Sequence, residues 1–108
     1  MKLVLIKSDR LFKYPFPNEN MTTFWIKDID NNESDRDLIS IDKIKEEWYL
    51  FSNETCNVVM NGKNIKEVKV EVNTFYPLRI NNQGVIENAF LYVYDSHFKE
   101  SSVSLKLI

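Results

Sequence analysis

The sequence predicts an all-β protein that folds as a two-sheet β-sandwich with mostly antiparallel strands. Roughly seven to ten short apolar runs follow one another, separated by polar turn residues, as expected for a sandwich. The pair Asn61-Gly62 lies between β-branched residues, which is the strongest short-range signal for a β-hairpin. The chain has only two glycines, and its strands do not alternate with helical patterns, so a βαβ architecture is disfavoured.

Three segments begin the chain. Residues 2–6 are apolar after Lys2 and predict a strand. Residues 13–17 contain Pro15 and Pro17; because each proline removes a ladder donor, this segment is expected to be irregular or an edge strand. Residues 22–29 include Thr, Phe, Trp and Ile, which suit a pleated and half-buried surface, and they predict a second strand.

The middle of the chain allows two interpretations. Residues 30–37 are polar and predict a loop, followed by strands at residues 38–41 and 48–51 that a Lys/Glu turn connects. In the other interpretation, residues 34–37 begin a helix, and roughly helical spacing relates Leu38, Ile41, Lys45 and Trp48. We favour the strand pair.

The second half predicts three further strands. Residues 65–72 alternate, with Val68, Val70 and Val72 on one face and charged side chains on the other, which is typical of a strand that is wet on one side. Residues 74–80 form the next expected strand. Residues 89–94 form the last one, with Phe90, Tyr92 and Tyr94 on one face and Leu91 and Val93 on the other.

The chain is expected to form one domain. Its 108 residues can bury roughly two thirds of the unfolded surface. We assign residues 1–100 to the sandwich and residues 101–108 to a final edge strand or to the start of a linker to a following module. The apolar fraction of 44% and the charged fraction of 28% are those of an ordinary globular protein.

Charge and apolar patterning restrict the expected partners. The formal net charge is -2, with basic and acidic side chains interspersed, so nucleic acid is not expected as a partner. The apolar run at residues 3–6 is too short for a membrane span or a signal-peptide core, so direct membrane insertion is not expected. Cys56 is the single cysteine, which excludes an internal disulfide and fits a cytoplasmic location.

The sequence motifs of common enzymes and metal sites are missing. Two glycines cannot build a Walker loop or a dinucleotide-binding turn. One Cys and one His, His97, cannot form a zinc cage, and His97 is expected to be exposed or capping. Residues 28–33 begin like a calcium loop but place Glu33 where the turn needs Gly. We therefore expect no catalytic residues, no cofactor and no metal, and a buried structural thiol at Cys56.

The later part of the chain resembles forkhead-associated (FHA) domains. In that family a Trp-containing strand leads through a ligand loop to a Val-Asn-Gly-Lys-x-Ile hairpin and two final strands. The matching segments here are residues 48–51, 58–65, 72–80 and 90–94. Residues 2–6 and 24–26 match the N-terminal half less specifically, so the resemblance spans essentially the whole chain. It implies a two-sheet FHA-like sandwich whose apical loops read phosphothreonine.

The phosphate-reading residues of the family are only partly matched. Lys27 falls about where the family places its phosphate-binding Arg, and an ammonium group cannot reproduce the bidentate fork of a guanidinium. Ser40 matches the first residue of the family's Ser-x-x-His loop, but Lys43 stands in place of the His. Cys56-Asn57 stands where the family has its loop Asn-Gly. The resemblance thus implies a degenerate site, with Lys27, Arg36, Ser40, Cys56 and Asn57 as candidate binding residues.

FHA-like domains with eroded phosphate sites are a feature of the cytosolic N-terminus of EssC-type ATPases in the type VII secretion systems of Gram-positive bacteria. Residues 1–7 and 11–13, with Trp48 and residues 90–94, are similar to that domain. The resemblance implies a non-catalytic assembly module that binds protein partners, including other secretion-system components. Contacts are expected at the loops of residues 27–36 and 52–57, or at an exposed sheet edge.

Two alternatives remain open. One is a working phosphopeptide reader of the same fold, with Lys27 or Arg36 supplying charge. The other is a carbohydrate-binding or small enzymatic β-sandwich that uses Trp25 or the tyrosines. A concave cleft with convergent polar groups would favour this last alternative, and flat polar loops would count against it.

Overall fold

The computed structural model describes residues 2–7, 10–28 and 36–95, with only the backbone of residues 28 and 36. Ten strands make up the regular structure of these residues. In chain order they are β1 (Lys2–Lys7), β2 (Arg10–Pro15), β3 (Thr23–Asp28), β4 (Arg36–Ile44), β5 (Glu47–Phe51), β6 (Cys56–Met60), β7 (Lys63–Ile65), β8 (Glu67–Lys69), β9 (Thr74–Asn82) and β10 (Val85–Tyr94).

The strands form two sheets. One sheet has six strands in the order β2-β1-β10-β9-β6-β7, and the other has four in the order β3-β4-β5-β8. Every strand pairing among the described residues is antiparallel. The predicted all-β fold with two mostly antiparallel sheets is therefore confirmed. The chain changes sheets after β2, β5, β7 and β8, so segments from both halves of the sequence build each sheet.

One apolar core lies between the sheets, and a second apolar cluster lies outside the larger sheet. Leu3 and Leu5 of β1 belong to the core, whereas Val4 and Ile6 belong to the second cluster together with Tyr94. All five side chains are buried. Burial on both faces explains why β1 is a continuous apolar run rather than an alternating one.

The strand pair in the middle of the chain is confirmed, and the helix is not formed. Strands β4 and β5 pair from Ser40 opposite Phe51 to Ile44 opposite Glu47. Between them Lys45 and Glu46 have φ angles of 50° and 66°. Two left-handed residues give the turn a twist that matches the flanking strands, so the Lys/Glu turn closes a tight hairpin.

The predicted single strand at residues 65–72 is wrong. The segment contains the end of β7 in the larger sheet and all of β8 in the smaller one, with the crossing at Lys66. The alternation survives in part, since Val70 is buried and Glu67, Lys69 and Glu71 are exposed, but Val72 is 41% exposed. Alternation of apolar and polar residues indicates on which face of a strand each side chain lies, but it does not indicate which sheet the strand belongs to.

The remaining predictions concern the ends of strands or segments outside the described residues. Strand β2 ends at Pro15 and is an edge strand of the larger sheet, as its prolines predicted. Strand β4 begins at Arg36, one residue before the predicted loop end. The rest of that loop, the calcium-like segment at residues 29–33, His97 and residues 101–108 lie outside the described residues. Within the described ranges there is no helix long and apolar enough to cross a membrane.

Candidate functional site

The end of the sandwich where β3 finishes and β4 begins is the loop end, at which the sequence predicted a binding site. The ammonium of Lys27 lies 4.0 Å from Oδ1 of Asp37, and both side chains are about half exposed. Such an ion pair contributes little stability, because solvent screens it, but it partly neutralises the cation that would meet an anionic ligand. The carbonyl of Lys27 accepts a hydrogen bond of 3.0 Å from the Tyr14 hydroxyl, which links the two edge strands β2 and β3.

The loop at residues 52–55 is held by its own polar side chains. The Ser52 hydroxyl donates to the carbonyl of Ile65 at 2.7 Å and accepts the N–H of Val58 at 2.8 Å. The Asn53 side-chain oxygen accepts the N–H groups of Thr55 and Cys56, both at 2.8 Å. These bonds satisfy backbone groups that a tight connection leaves unpaired, so the side chains serve the loop itself.

Asn53 also connects this loop to the next strand. Its amide nitrogen donates to the carbonyl of Asp37 at 3.4 Å, a long and therefore weak hydrogen bond. The structure thus brings together Lys27, the backbone of Arg36, Asp37 and Asn53 at the loop end. Asn53 lay inside the predicted contact loop but was not singled out as a candidate. The Asn-x-Thr spacing, typical of an Asx turn, is the signal that would have found it.

Three predicted site residues do not lie in a loop. Ser40 is only 5% exposed in the middle of β4, where it pairs with Trp25 on one side and Phe51 on the other. Cys56 is fully buried in the core, which agrees with its expected structural role. Asn57 pairs with Arg79 and faces outward from the larger sheet, since its neighbours Cys56 and Val58 face inward. The connection ends at Thr55, two residues earlier than predicted, because β6 already begins at Cys56.

A concave cleft lies at the opposite end of the sandwich, which we call the turn-end cleft. It has a volume of about 850 Å³ and is lined by Phe16, Pro17, Glu19, Asn20, Lys43, Glu46 and Trp48. Two chain segments build it: the connection between β2 and β3, and the β4–β5 hairpin. The N–H of Lys43 donates to the carbonyl of Thr22 at 2.8 Å and holds the two segments together.

Lys43 is the central polar group of the turn-end cleft. Its ammonium lies 3.3 Å from Oε2 of Glu46 and donates to the backbone carbonyl of Glu19 at 3.3 Å. It also lies 5.9 Å from the ring centre of Trp48, within the range of a cation–π contact. The Phe16 and Trp48 rings meet edge to face, with centres 5.5 Å apart. The cleft therefore combines an aromatic wall with both hydrogen-bond donors and acceptors.

No family model, curated protein or solved structure matches the chain.

The outer face of the smaller sheet carries aromatic side chains. Trp25 is 47% exposed and stands in one row with Ser40 and Phe51 across β3, β4 and β5. The adjacent row contains Tyr49. We call the set of Trp25, Tyr49 and Phe51 the aromatic face. Trp and Tyr are enriched where proteins contact one another, because one rigid side chain contributes a large apolar area and a polar group.

A small hydrogen-bonded network borders the aromatic face. Glu47 accepts hydrogen bonds of 3.1 Å from both Lys69 and Tyr49. These two hydrogen bonds lower the pKa of the Glu47 carboxyl, and the one from Lys69 has the larger effect. The same bonds to Glu47 raise the pKa values of Tyr49 and Lys69. The Glu47 and Lys69 side chains are about half exposed, so their charges act in high dielectric and are screened by salt.

The potential metal ligands of the described residues do not cluster, and the one cysteine is buried. Residues 2–7, 10–28 and 36–95 contain no cluster of three or more His, Cys, Asp or Glu side chains that could hold a metal ion. The thiol of Cys56 is buried in the apolar core. The loop end, the turn-end cleft and the aromatic face each present polar or aromatic groups that can make non-covalent contacts.

Proposed function

We propose that this chain is a non-catalytic protein-interaction module with an FHA-like sandwich and a degenerate phosphothreonine site. The order of elements supports the proposal. Trp48 lies in β5, a short connection leads to the β6–β7 hairpin with Asn61-Gly62 at its turn, and β9 and β10 are the last described strands. Strand β8 is an addition to the simple pattern, because it lies between the hairpin and the two final strands.

The observation that carries the proposal is the exposure of Trp25. Nearly half of its side chain is in contact with water on a strand face, next to the nearly buried Ser40 and in line with Phe51. An exposed Trp does not contribute the favourable free energy that burial of its apolar surface would provide. Such residues become anchors of an interface when a partner covers them. A flat aromatic face suits a protein surface better than a small molecule, which needs a concave site.

The loop end supports a degenerate phosphate site rather than a working one. The cation of Lys27 has a carboxylate 4.0 Å away, and a phosphate would approach that carboxylate as well. The Asn53 side chain is bonded to its own loop and to the Asp37 carbonyl. A phosphate reader needs convergent donors that are free to meet the ligand oxygens. The arrangement of Lys27, Asp37 and Asn53 disfavours that role.

The finer proposal is that the module is the N-terminal cytosolic domain of an EssC-type type VII secretion ATPase, where it contacts other components of the secretion machinery. It rests on the similarity of residues 1–7, 11–13 and 90–94 and of Trp48 to that domain. The gene sequence beyond the codon for Ile108 tests it. A second β module, apolar membrane helices and repeated Walker motifs are expected there, and an immediate stop codon would contradict the finer proposal.

Site-specific crosslinking tests the interaction surface. A photoreactive phenylalanine analogue replaces Trp25 in the natural full-length protein, expressed in its own host, and a matched variant carries it at Asn88. Asn88 is exposed and lies outside the aromatic face, on a strand of the larger sheet. We expect a discrete protein adduct from position 25 and none from position 88. The same adducts from both positions, or no adduct from position 25, would contradict the assignment.

A peptide titration separates the proposal from a working phosphopeptide reader. A phosphothreonine peptide library and its unphosphorylated twin are titrated into the protein at low and at physiological salt. We expect equal weak binding of both libraries, because Asp37 partly neutralises the Lys27 charge and a phosphate would approach that carboxylate as well. Preferential binding of the phosphorylated library that persists at physiological salt would establish the reader instead.

A further inference from the structure

The turn-end cleft is concave, unlike the aromatic face, and lies at the end of the sandwich away from the loop end. Its volume of about 850 Å³ falls within the range of about 300–1,000 Å³ that small-molecule sites occupy. We propose that this cleft binds a neutral carbohydrate of a few sugar units. The inference is independent of the proposed protein-interaction function, because the two use different residues.

The aromatic wall of the cleft is rigid. Pro15 and Pro17 flank Phe16, and their fixed φ angles restrict the backbone that carries its ring. Phe16 in turn packs edge to face against Trp48, and both rings pack on the main core. A wall of this kind presents an apolar surface without losing much side-chain entropy when a ligand arrives. The C–H faces of a sugar ring are the apolar groups that such a wall suits.

The polar groups of the cleft include donors and acceptors. Lys43 and the amide of Asn20 supply N–H donors, whereas Glu19, Glu46 and the Asn20 side-chain oxygen supply acceptors. A hydroxyl group both donates and accepts, so a ligand with several hydroxyls can use this mixture fully. An apolar ligand would leave these groups without partners, which costs free energy when they are covered.

The charged lining residues have both signs, and with Lys43 paired to Glu46 one carboxylate, Glu19, is in excess, which favours a neutral ligand over an anionic one. Lys43 is one of the lining residues and would repel a cationic ligand. Its ammonium also already makes the cation–π contact with the Trp48 ring that a cationic ligand could otherwise make. Glu19 and Glu46 would repel a guest anion, and Glu46 lies 3.3 Å from the very ammonium that could attract it. A neutral polyhydroxylated molecule meets neither penalty.

Nuclear magnetic resonance on the intact chain tests this inference without mutation. The chain has two tryptophans, Trp25 outside the cleft and Trp48 in it, so their two indole N–H signals give a test position and an internal reference. The probes are neutral tetrasaccharides, namely cellotetraose, chitotetraose, maltotetraose and mannotetraose, at millimolar concentrations. Tetragalacturonate and a tetralysine peptide serve as the anionic and cationic counterparts.

We expect at least one neutral tetrasaccharide to shift the Trp48 indole signal and the amide signals of residues 16, 18–20 and 43–48 saturably, with the Trp25 signal unchanged. The charged probes should bind at least about tenfold more weakly, a difference of about 1.4 kcal/mol. The proposal is overturned if no neutral probe shifts these signals, if the shifts map elsewhere, or if a charged probe binds more tightly.

Two rim variants locate the binding groups. Asn20→Ala and Glu19→Ala remove exposed polar groups outside the core, and both variants should fold normally. Each is expected to weaken binding of the selected tetrasaccharide about tenfold, as one lost hydrogen-bonded contact would. Asn88→Ala is the matched control and should bind as the natural chain does. Unchanged affinity in both rim variants would overturn the assignment of the site.

Discussion

The phenolic oxygen of Tyr76 accepts a hydrogen bond of 2.6 Å from the backbone N–H of Glu71. The same hydroxyl donates to the carbonyl of Lys69 at 3.0 Å. Tyr76 itself is 1% exposed and belongs to the main core. One buried ring on β9 thus fixes the connection that returns the chain from the smaller sheet to the larger one.

Replacing Tyr76 by Phe is expected to destabilise the protein by about 1–3 kcal/mol. The ring stays in the core, but the N–H of Glu71 and the carbonyl of Lys69 lose a partner in a partly buried place. Urea denaturation measures the change in the free energy of unfolding. Tyr49→Phe is the matched control, since its hydroxyl bonds an exposed carboxylate and its loss should be much smaller. Equal losses in the two variants would contradict this account.

Alkaline pH is expected to weaken the fold through Tyr76. Burial raises the pKa of its hydroxyl above the ordinary value, although the hydrogen bond from the Glu71 backbone acts in the opposite direction. The folded state therefore keeps the phenol proton in a range where the unfolded chain has lost it. Its contribution to stability is complete below the unfolded pKa of about 10 and is lost as pH rises through the folded pKa.

Urea denaturation at a series of pH values from neutral to alkaline measures this effect. The difference in unfolding free energy between the natural chain and Tyr76→Phe should shrink once pH exceeds about 10. Tyr49 also has a raised pKa, but it is present in both proteins, and its effect cancels in the difference. Parallel curves for the two proteins across this range would refute the prediction.

Local rules predicted most of the fold. Alternation, β-branched runs and turn pairs report on neighbours in the chain, so β1, β3, β9, β10 and the β4–β5 hairpin could be found from sequence. The crossing at Lys66 could not, because it depends on which sheet offers a free edge. The N–H of Ser52 donates to the carbonyl of Lys66 at 2.9 Å, and this contact between distant segments leaves no local pattern.

The candidate sites were less predictable than the fold. Lys27 and Ser40 were both assigned by position within a family pattern; Lys27 lies near the end of β3, whereas Ser40 lies in mid-strand in β4. The turn-end cleft was missed because Lys43 and Glu19 are 24 residues apart and meet only after β3 and β4 have paired. The proline-flanked aromatic at Phe16 was the one local sign of a rigid surface there.

The Glu47 carboxyl should titrate below the ordinary range of a glutamate, because Lys69 and Tyr49 hold its charged form and lower its pKa. Side-chain carbon NMR during an acid titration measures this pKa directly. In Lys69→Met the Glu47 titration should move back toward the ordinary value, because the first cause of the lowered pKa is removed. Any stability gained from this group is present above the unfolded pKa and is lost as pH falls through the lower folded pKa. An unchanged Glu47 titration in the variant would contradict the assignment.

The Cys56 thiol should not react with a polar thiol reagent in the native protein. It is fully buried in the core, and both the reagent and the thiolate form are excluded from that environment. In denaturant the reagent should label one thiol per chain, the single cysteine of the sequence. Labelling measured at increasing urea should follow the global unfolding transition. Rapid labelling without urea would show that β6 opens locally and would contradict a structural role for this residue.

The hairpin turn between β6 and β7 predicts losses of stability of different size for substitutions at its two residues. Asn61 and Gly62 have φ angles of 54° and 77°, and no atom within 4 Å would obstruct a Cβ added at Gly62. Gly62→Ala should therefore cost only the backbone strain of a left-handed residue, about 1–2 kcal/mol by urea denaturation. Asn61→Gly keeps the left-handed angle accessible and should change stability by less than about 0.5 kcal/mol. If Gly62→Ala costs no more than Asn61→Gly, the turn is not the rigid left-handed pair described, and the register of the hairpin depends on strand contacts instead.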